Sequence, residues 1–341
     1  MALKNIIGWL VIPAVFSLVF WAGCESAGQR VEEQVKPALQ PPKVVLPEQV
    51  SLALKYTAGD WVTYKVITES ERTVKFEGSL PANNAFKGGT SGNRSELTFT
   101  QQILDVDEKG NATAEITLKE LKFVSKLKDD KILDFDSTRE QDSKNTLAKL
   151  IGASYVITVT PAGEVVKVSG TEGIKTEIRG GSSAARTATE FIGTDEIKRR
   201  HTLDVLPPAD KNMLHKGQKY SRPESLNFGL MGAQAYERVY TLEDITDKNS
   251  RIIAKVQMEA IPAAPTPEQA TGRGFAEMSD NTTTYTGWLK LDVTTGKLEE
   301  CLEKLRSEWI VVDPSVRGQK DVAPAAVRMI AGRFRSIERI Y

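Results

Sequence analysis

The sequence predicts a mainly β protein with antiparallel, twisted or curved sheets. Three observations predict it: long stretches alternate between apolar and polar residues, they are rich in β-branched and aromatic residues, and turn residues separate them. Of 341 residues, 40% are hydrophobic and 26% are charged, so most of the chain can bury a core. An internal echo further predicts two related β units.

The chain begins with the features of an export signal. Lys4 precedes an apolar run over residues 6–21, and two small residues precede Cys24. A charged start, an apolar middle and small residues before a break are typical of a secretory signal peptide. We therefore predict a signal peptide over residues 1–23, cleaved between Gly23 and Cys24.

The end of this leader resembles a bacterial lipobox, in which the cysteine becomes the first mature residue and carries acyl chains. Ala22 and Gly23 fit the small positions, whereas Trp21 stands where the pattern prefers an aliphatic residue. The resemblance implies lipidation at Cys24, for example with palmitate, and anchoring in a membrane. An uncleaved signal anchor and simple secretion are the alternatives. All three place the body outside the cytoplasm, facing the periplasm or at the cell surface, and Glu25 slightly favours the outer membrane.

Residues 24–51 have the composition of a tether. They contain four prolines with Gln, Glu and Lys between them and show no strand or helix period. Proline spacing of this kind favours an extended, semi-stiff spacer between the lipid and the folded body.

A first β unit is predicted over residues 52–180. The alternating, strand-like stretches are 61–68, 96–100, 114–119, 155–160 and 164–168. Gly110 and Gly163 lie between such stretches, where a positive φ fits a tight turn.

A second β unit is predicted over residues 216–341. Residues 240–258 echo the hairpin at 99–118, and residues 288–298 echo the strand, glycine turn and strand at 155–168. Two echoes in the same order indicate a duplicated unit. Chance similarity between alternating strands is the alternative.

Helices are expected to be few. Residues 181–215 are predicted as a helical or flexible bridge between the units, with one helix over 187–200. A short helix is expected over 143–151, capped by its first residue. Residues 327–337 fit a helical stripe, while 334–341 equally fit a closing strand. Two Gly-, Pro- and Asn-rich segments, 83–93 and 262–274, and the bridge segment 182–185 are expected to be mobile.

Composition excludes several classes of function. The 45 basic and 45 acidic residues balance, so nothing attracts the chain to nucleic acid. Two cysteines do not make a disulfide scaffold, and Cys301 is expected to be a small buried hydrophobe. His201 lies in a charged segment and is expected to be solvated, and it is not spaced with His215 as a metal pair.

The acidic segment near residue 135 is the one metal candidate. Asp134, Asp136 and Glu140 fall at alternating positions, as calcium ligands do in a loop. However, Arg139 occupies the position where an EF-hand loop requires glycine. The same alternation describes the outward face of an edge strand, which we favour. No metal and no cofactor are therefore predicted.

No catalytic motif is visible in the sequence. It contains no Gly-x-Ser-x-Gly elbow, phosphate loop, zinc spacing or dinucleotide fingerprint. Trp61, Tyr64, Trp288 and Trp309 lie on or near strands and are expected mostly in the core, although a curled sheet would let some line an apolar groove.

Five motifs follow one another along the chain: Gly59–Trp61, Asp107–Thr117, Asp134–Ser137, Ile151–Gly163 and Gly287–Gly296. Taken in that order, they resemble the domain of unknown function 6263 family, a group of uncharacterised bacterial envelope lipoproteins. The resemblance implies an envelope location and a β fold. It implies no chemistry, because the family has no assigned activity. The chain also looks loosely similar to curved-sheet lipoprotein carriers of the periplasm, at the level of the fold alone.

We therefore predict an uncharacterised envelope lipoprotein that acts as a non-catalytic binding or scaffold module. The alternative is a periplasmic carrier or sensor of a hydrophobic ligand held in a curved sheet, and a hydrolase is the third possibility. The expected partners are the membrane, through the lipid anchor, and an envelope protein or an apolar ligand.

Overall fold

The computed structural model describes residues 45–77, 88–227, 233–262, 279–312 and 326–341. These residues form an open antiparallel sheet of twelve strands, a separate two-stranded sheet and three short α-helices. The mainly β prediction is confirmed. The predicted leader, Cys24 and most of the predicted tether lie outside the described residues.

The elements follow one another along the chain as long hairpins with a helical segment in the middle. The strands are β1 (Gln49–Ser51), β2 (Trp61–Glu77), β3 (Gly89–Val106), β4 (Ala112–Leu127), β5 (Asp130–Asp136), β6 (Ser154–Val159), β7 (Val165–Ser169), β8 (Met213–His215), β9 (Lys219–Asn227), β10 (Ala233–Lys248), β11 (Arg251–Pro262), β12 (Ser279–Asp292), β13 (Lys297–Val312) and β14 (Ala326–Ile340). The helices are α1 (Glu172–Glu177), α2 (Ser183–Phe191) and α3 (Thr194–His201), with short 3-10 helices at Glu140–Asp142, Thr146–Leu150 and Ala209–Lys211.

The large sheet has the strand order β7-β6-β4-β3-β2-β14-β13-β12-β11-β10-β9, and β5 pairs with β4. The C-terminal segment, for which the sequence left helix and strand open, is therefore strand β14. Its strand form follows from pairing on both sides: Ile337 lies opposite Cys301 of β13 and Val66 of β2. This strand joins the two halves of the chain in one sheet.

The two halves enter the sheet with the same local geometry. Gly59 and Gly217 have φ angles of 87° and 84°, a region that glycine adopts readily. Their N–H groups donate to the carbonyls of Ile103 and Leu242, respectively, and the register of each strand shifts directly after that carbonyl residue. The duplication of the two units stays a prediction, which this shared register supports.

The segment before β2 ties equivalent turns of the two halves together. The Leu54 N–H donates to Pro161 O at 2.8 Å, and the Lys55 N–H donates to Gly296 O at 3.0 Å. Upstream, Val50 of β1 pairs with Leu214 of β8. The last residues of the predicted tether are thus part of a small sheet, because a distant strand supplies the partner that local composition does not reveal.

The helical bridge is more ordered than the sequence predicts. The single helix expected over 187–200 is two helices, α2 and α3, that meet at Gly193. Ser182 caps α2, with its Oγ accepting from the Ala185 N–H at 3.1 Å, so the segment expected to be mobile begins a helix. Ala188 and Phe191 on one face of α2 are buried.

Two further expectations are corrected locally. The short helix near residue 146 is a 3-10 helix, Thr146–Leu150, capped by the Asn145 side chain and not by Ser143. Gly89 to Asn93, expected in a mobile loop, belong to β3, because their backbone pairs with β2 and β4. Most of the second expected loop, 262–274, lies outside the described residues.

One row of inward-facing side chains forms the apolar floor of the core. Its members lie opposite one another in register across eight strands: Leu242, Val256, Leu289, Cys301, Ile337, Val66, Leu97 and Leu121. All eight are buried. Because side chains on one face of a strand recur every second residue, the next row begins two residues further along each strand.

Candidate functional site

The next inward-facing row changes from apolar to polar in the middle of the sheet. Gly287, Glu303, Arg335, Thr68 and Ser95 lie opposite one another on β12, β13, β14, β2 and β3. Apolar side chains continue on both sides of this row. Polar side chains beside an apolar core destabilise the fold unless they are paired or bind a ligand. This polar row therefore marks a candidate site.

A cleft of about 480 Å³ lies above this polar row. Its floor is formed by side chains of the sheet, and its roof by α2, α3 and the segment after them. The lining residues are Thr68, Glu69, Ser70, Asn93, Ser95, Phe123, Thr187, Glu190, Phe191, Glu196, Arg199, Arg200, Thr202, Asp204, Glu224, Tyr236, Arg238, Tyr285, Glu303, Leu305, Arg333, Phe334 and Arg335. This volume is within the range of small-molecule sites.

Arg238 is the centre of a charge cluster at one end of the cleft. Its guanidinium donates to Asp204 at 2.7 Å and to Glu224, and lies 3.4 Å from Glu303 Oε1. The residue is only 8% exposed. Three carboxylates around one buried cation hold strands β9, β10 and β13 and the segment after α3 in fixed positions.

Glu303 is the acid most affected by this environment. Burial raises its pKa, the Asp204 charge raises it further, and the charges of Arg335 and Arg238 oppose the rise. Its Oε1 accepts from the Tyr285 hydroxyl at 2.7 Å. Burial also raises the pKa of Tyr285, so this hydroxyl remains a donor. The glutamic acid is therefore fixed in place at the floor of the cleft.

Arg335 links the floor to the roof. Its Nη2 donates to the backbone carbonyls of Arg200 at 2.8 Å and Thr202 at 2.7 Å, at the C-terminal end of α3. A cation there satisfies carbonyls that the helix leaves unpaired. Arg335 thus positions α3 over the cleft.

Replacing Glu303 by glutamine is expected to remove a pH-dependent loss of stability. Because burial raises its pKa in the folded state, the folded protein holds this proton more tightly than the unfolded chain. That stabilisation is complete below the ordinary glutamate pKa of about 4.3 and is lost as the pH rises through the raised value. The free energy of unfolding of the wild type, minus that of Glu303→Gln, should fall as the pH rises.

The measurement is urea unfolding of both proteins, followed by tryptophan fluorescence, between about pH 4 and pH 8. Glu300→Gln is the control, because Glu300 is half-buried and pairs with Lys290 at 2.6 Å on the opposite face. A difference that stays flat or rises with pH contradicts the raised pKa of Glu303.

His201 lies below the cleft and not at a solvated surface, which corrects the expectation from its charged neighbours. Its Nε2 lies 2.7 Å from the Tyr155 hydroxyl, and its ring meets Phe99 edge-on at 4.7 Å between centroids. Burial, with the charges of Arg200 and Arg335, lowers its pKa well below the usual value. His201 is therefore a neutral, half-buried residue that contacts Tyr155 and Phe99. His215 contacts Gln49 elsewhere, at 2.6 Å.

Of the other expectations for single residues, some agree with the structure and one does not. Cys301 is buried as predicted, 1% exposed, and burial raises the pKa of its thiol. Tyr64 and Trp309 are in the core. Trp288 is half-buried, and Trp61 is 69% exposed, which corrects its expected core position. Trp61 is the first residue of β2 and lines the small pocket beside Tyr64.

The acidic side chains near β5 form ion pairs with basic side chains of the same chain. The Arg139 guanidinium bridges Asp134 at 2.9 Å and Asp142 at 2.6 Å. Hydrogen bonds from Thr138, with help from Lys122, lower the pKa of Asp136 to about 2. Within the described residues, no group of three or more His, Cys, Asp or Glu side chains is arranged to hold a metal ion. The geometry thus favours the edge-strand interpretation over calcium binding.

No helix in the described part of the chain is long and apolar enough to cross a membrane.

Among protein families, the model of a family of unknown function, DUF6263, matches residues 109–298, which is more than half of the chain. The chain belongs to the DUF6263 family. The matched segment of this DUF6263 protein includes all three α-helices and the cleft residues Asp204, Glu224, Arg238 and Tyr285, and the predicted family resemblance is confirmed.

Other comparisons add little to this membership. No curated protein matches the chain. Among solved structures it is similar to DynF from the dynemicin biosynthesis pathway of Micromonospora chersina, with 7% identity over 88% of this chain and 92% of that chain. The TM-score is 0.16, so this likeness carries no argument about fold or function.

The sequence did not identify the cleft, although a signal for it exists. Arg238 lies between Tyr236 and Tyr240 in an alternating stretch, and Glu303 lies between Cys301 and Leu305. Each charged residue thus occupies a position that the alternation assigns to the buried face. A charge at such a position is expected to be paired or functional.

Proposed function

We propose that this DUF6263 protein is an exported bacterial envelope lipoprotein, anchored through Cys24, whose β body is a non-catalytic binding module. The observation that carries the binding role is the cleft of about 480 Å³ with buried, ordered charges on its floor and at one end. The leader, the lipobox resemblance and the tether support the envelope location. The tether would hold the cleft away from the membrane surface.

The geometry favours a polar ligand over a hydrophobic one. The apolar pocket beside Tyr64, Phe99 and Ile337 measures about 60 Å³. Small-molecule sites usually measure about 300 to 1,000 Å³, so this pocket holds no acyl chain of useful length. A carrier or sensor of a hydrophobic ligand would therefore require the core to open. A polar ligand would not, because the cleft is already present.

A hydrolase is supported less well than a binding module. Glu303 has the raised pKa that an active-site acid often has. However, Arg238, Arg335 and Tyr285 surround its carboxyl group, and neither histidine lies in the cleft. We therefore assign Glu303 a role in positioning the cluster.

Blocking the cleft should abolish ligand-induced stabilisation. Asn93 is exposed on the cleft floor, so Asn93→Trp should fill the space without disturbing the core. The measurement is the melting temperature of the full-length protein with and without the small-molecule fraction of a bacterial envelope extract. A ligand near saturation should raise the wild-type value by roughly 5 °C and leave that of Asn93→Trp unchanged.

The matched control is Lys126→Trp, because Lys126 is exposed on the opposite face of the neighbouring strand. It should be stabilised as the wild type is. An extract that stabilises Asn93→Trp equally, or does not stabilise the wild type, contradicts the binding role of the cleft.

A further inference from the structure

The cleft can recognise a ligand only through side chains along most of its floor. β3, β2, β14, β13 and β12 each pair with a neighbour on both sides, so their backbone groups are used in the sheet. A peptide therefore cannot bind there by adding a strand. Recognition depends on the chemistry of the inward-facing side chains.

Three buried donors in the lining have no acceptor among the described residues. They are Arg200 Nη1, Arg238 Nε and Arg335 Nε. Arg238 is more than nine-tenths buried, and a buried N–H without an acceptor costs about 1–3 kcal/mol. Acceptors lie next to Arg238, in the carboxylates of Asp204 and Glu224. Such a site suits groups that both donate and accept, and a hydroxyl group is the smallest group that does both.

The lining also disfavours a strongly charged ligand. It contains five arginines and six carboxyl groups: Arg199, Arg200, Arg238, Arg333, Arg335, Glu69, Glu190, Glu196, Asp204, Glu224 and Glu303. Five cationic groups thus face six carboxyl groups, so the two signs of charge nearly balance. A phosphate would meet Asp204 and Glu224, and a polycation would meet the arginines, so neither gains net attraction.

We propose that the cleft binds an uncharged oligosaccharide, an inference that rests on the proposed binding role. The ring hydroxyls accept from Arg238 and Arg335 and donate to the carboxylates. Apolar side chains, among them Leu305 and Phe334, also belong to the lining and suit the C–H faces of sugar rings.

The test is calorimetric titration of the full-length protein in a sugar-free detergent. The probes are cellotetraose, chitotetraose, maltotetraose and mannotetraose, compared with inorganic phosphate and tetralysine. At least one oligosaccharide should bind with 1:1 stoichiometry, and Asn93→Trp should abolish its binding. Arg333→Ala should weaken it by about tenfold, the effect of losing one charged hydrogen bond.

Arg333 suits this test because it is exposed in the cleft lining and makes no ion pair with the described residues. Arg306→Ala is its control, because Arg306 is exposed on the opposite face of β13. It should leave the affinity unchanged.

The outcomes separate this inference from the proposed function. If envelope extract stabilises the wild type but none of the oligosaccharides binds, the ligand class is wrong and the binding role stands. Binding of phosphate or tetralysine in place of the sugars likewise overturns the ligand class alone. Oligosaccharide binding that Asn93→Trp leaves intact also overturns the inference. If neither extract nor any probe acts on the protein, both proposals fail.

Discussion

Replacing Arg238 by methionine should lower the free energy of unfolding by about 3 kcal/mol, because it removes the buried cation that three carboxylates share, of which Glu303 is the most buried. Asp204, Glu224 and Glu303 all contact this one guanidinium. Methionine keeps much of the volume and none of the charge, so the loss reports electrostatics more than packing. Urea unfolding of the full-length protein at neutral pH measures it.

Arg306→Met is the matched control for this substitution. Arg306 is exposed and pairs with Glu308 at 3.1 Å, so its loss should change the free energy of unfolding by no more than about 0.5 kcal/mol. The destabilisation by Arg238→Met should also shrink toward about pH 4, because protonation removes the unpaired negative charges. Equal effects of the two substitutions would refute a central role for Arg238.

Replacing Cys24 by alanine should reduce metabolic labelling with palmitate to background. A lipobox cysteine is the acylated residue, and two or three acyl chains give stable anchoring where one does not. The measurement is palmitate incorporation in a bacterial host, with the protein isolated by immunoprecipitation. Alanine removes the sulfur that would carry the lipid, so no partial effect is expected.

Cys301→Ala is the matched control for the labelling, because it removes the second thiol of the chain. The Cys301 side chain is 1% exposed, so its replacement should leave the label unchanged. Label that persists in Cys24→Ala would disprove the lipid anchor. An unlabelled wild type that stays in the membrane would favour the signal anchor, and an unlabelled soluble wild type would favour simple secretion.

The strands and turns of this protein were largely predictable because their causes are local. Alternation places the strands that contain residues 61–68 and 114–119, and Gly110 has the positive φ, 79°, that its hairpin turn requires. The strand form of the C-terminal segment was not predictable, because residues 327–337 fit a helical stripe while residues 334–341 equally fit a strand. Pairing with β2 and β13, which are distant in sequence, decides between them.

His201 and Trp61 show why single-residue environments were harder to predict. His201 follows a run of cations and yet packs against Tyr155, 46 residues away in the chain. Trp61 belongs to an alternating stretch and yet faces solvent, because alternation assigns half of every strand to the outside face. The neighbours of a side chain along the sequence do not reveal what the sheet brings beside it.

By itself, the sequence determined the β class, the hairpin turns and the resemblance that the DUF6263 match confirms, because backbone preference and side-chain periodicity act between near neighbours. Only the tertiary structure decided where the cleft lies. Arg238 meets Asp204, Glu224 and Glu303 from 34, 14 and 65 residues away. The strand order and the register of one continuous sheet create these contacts, and no local pattern encodes which inward-facing charges share a site.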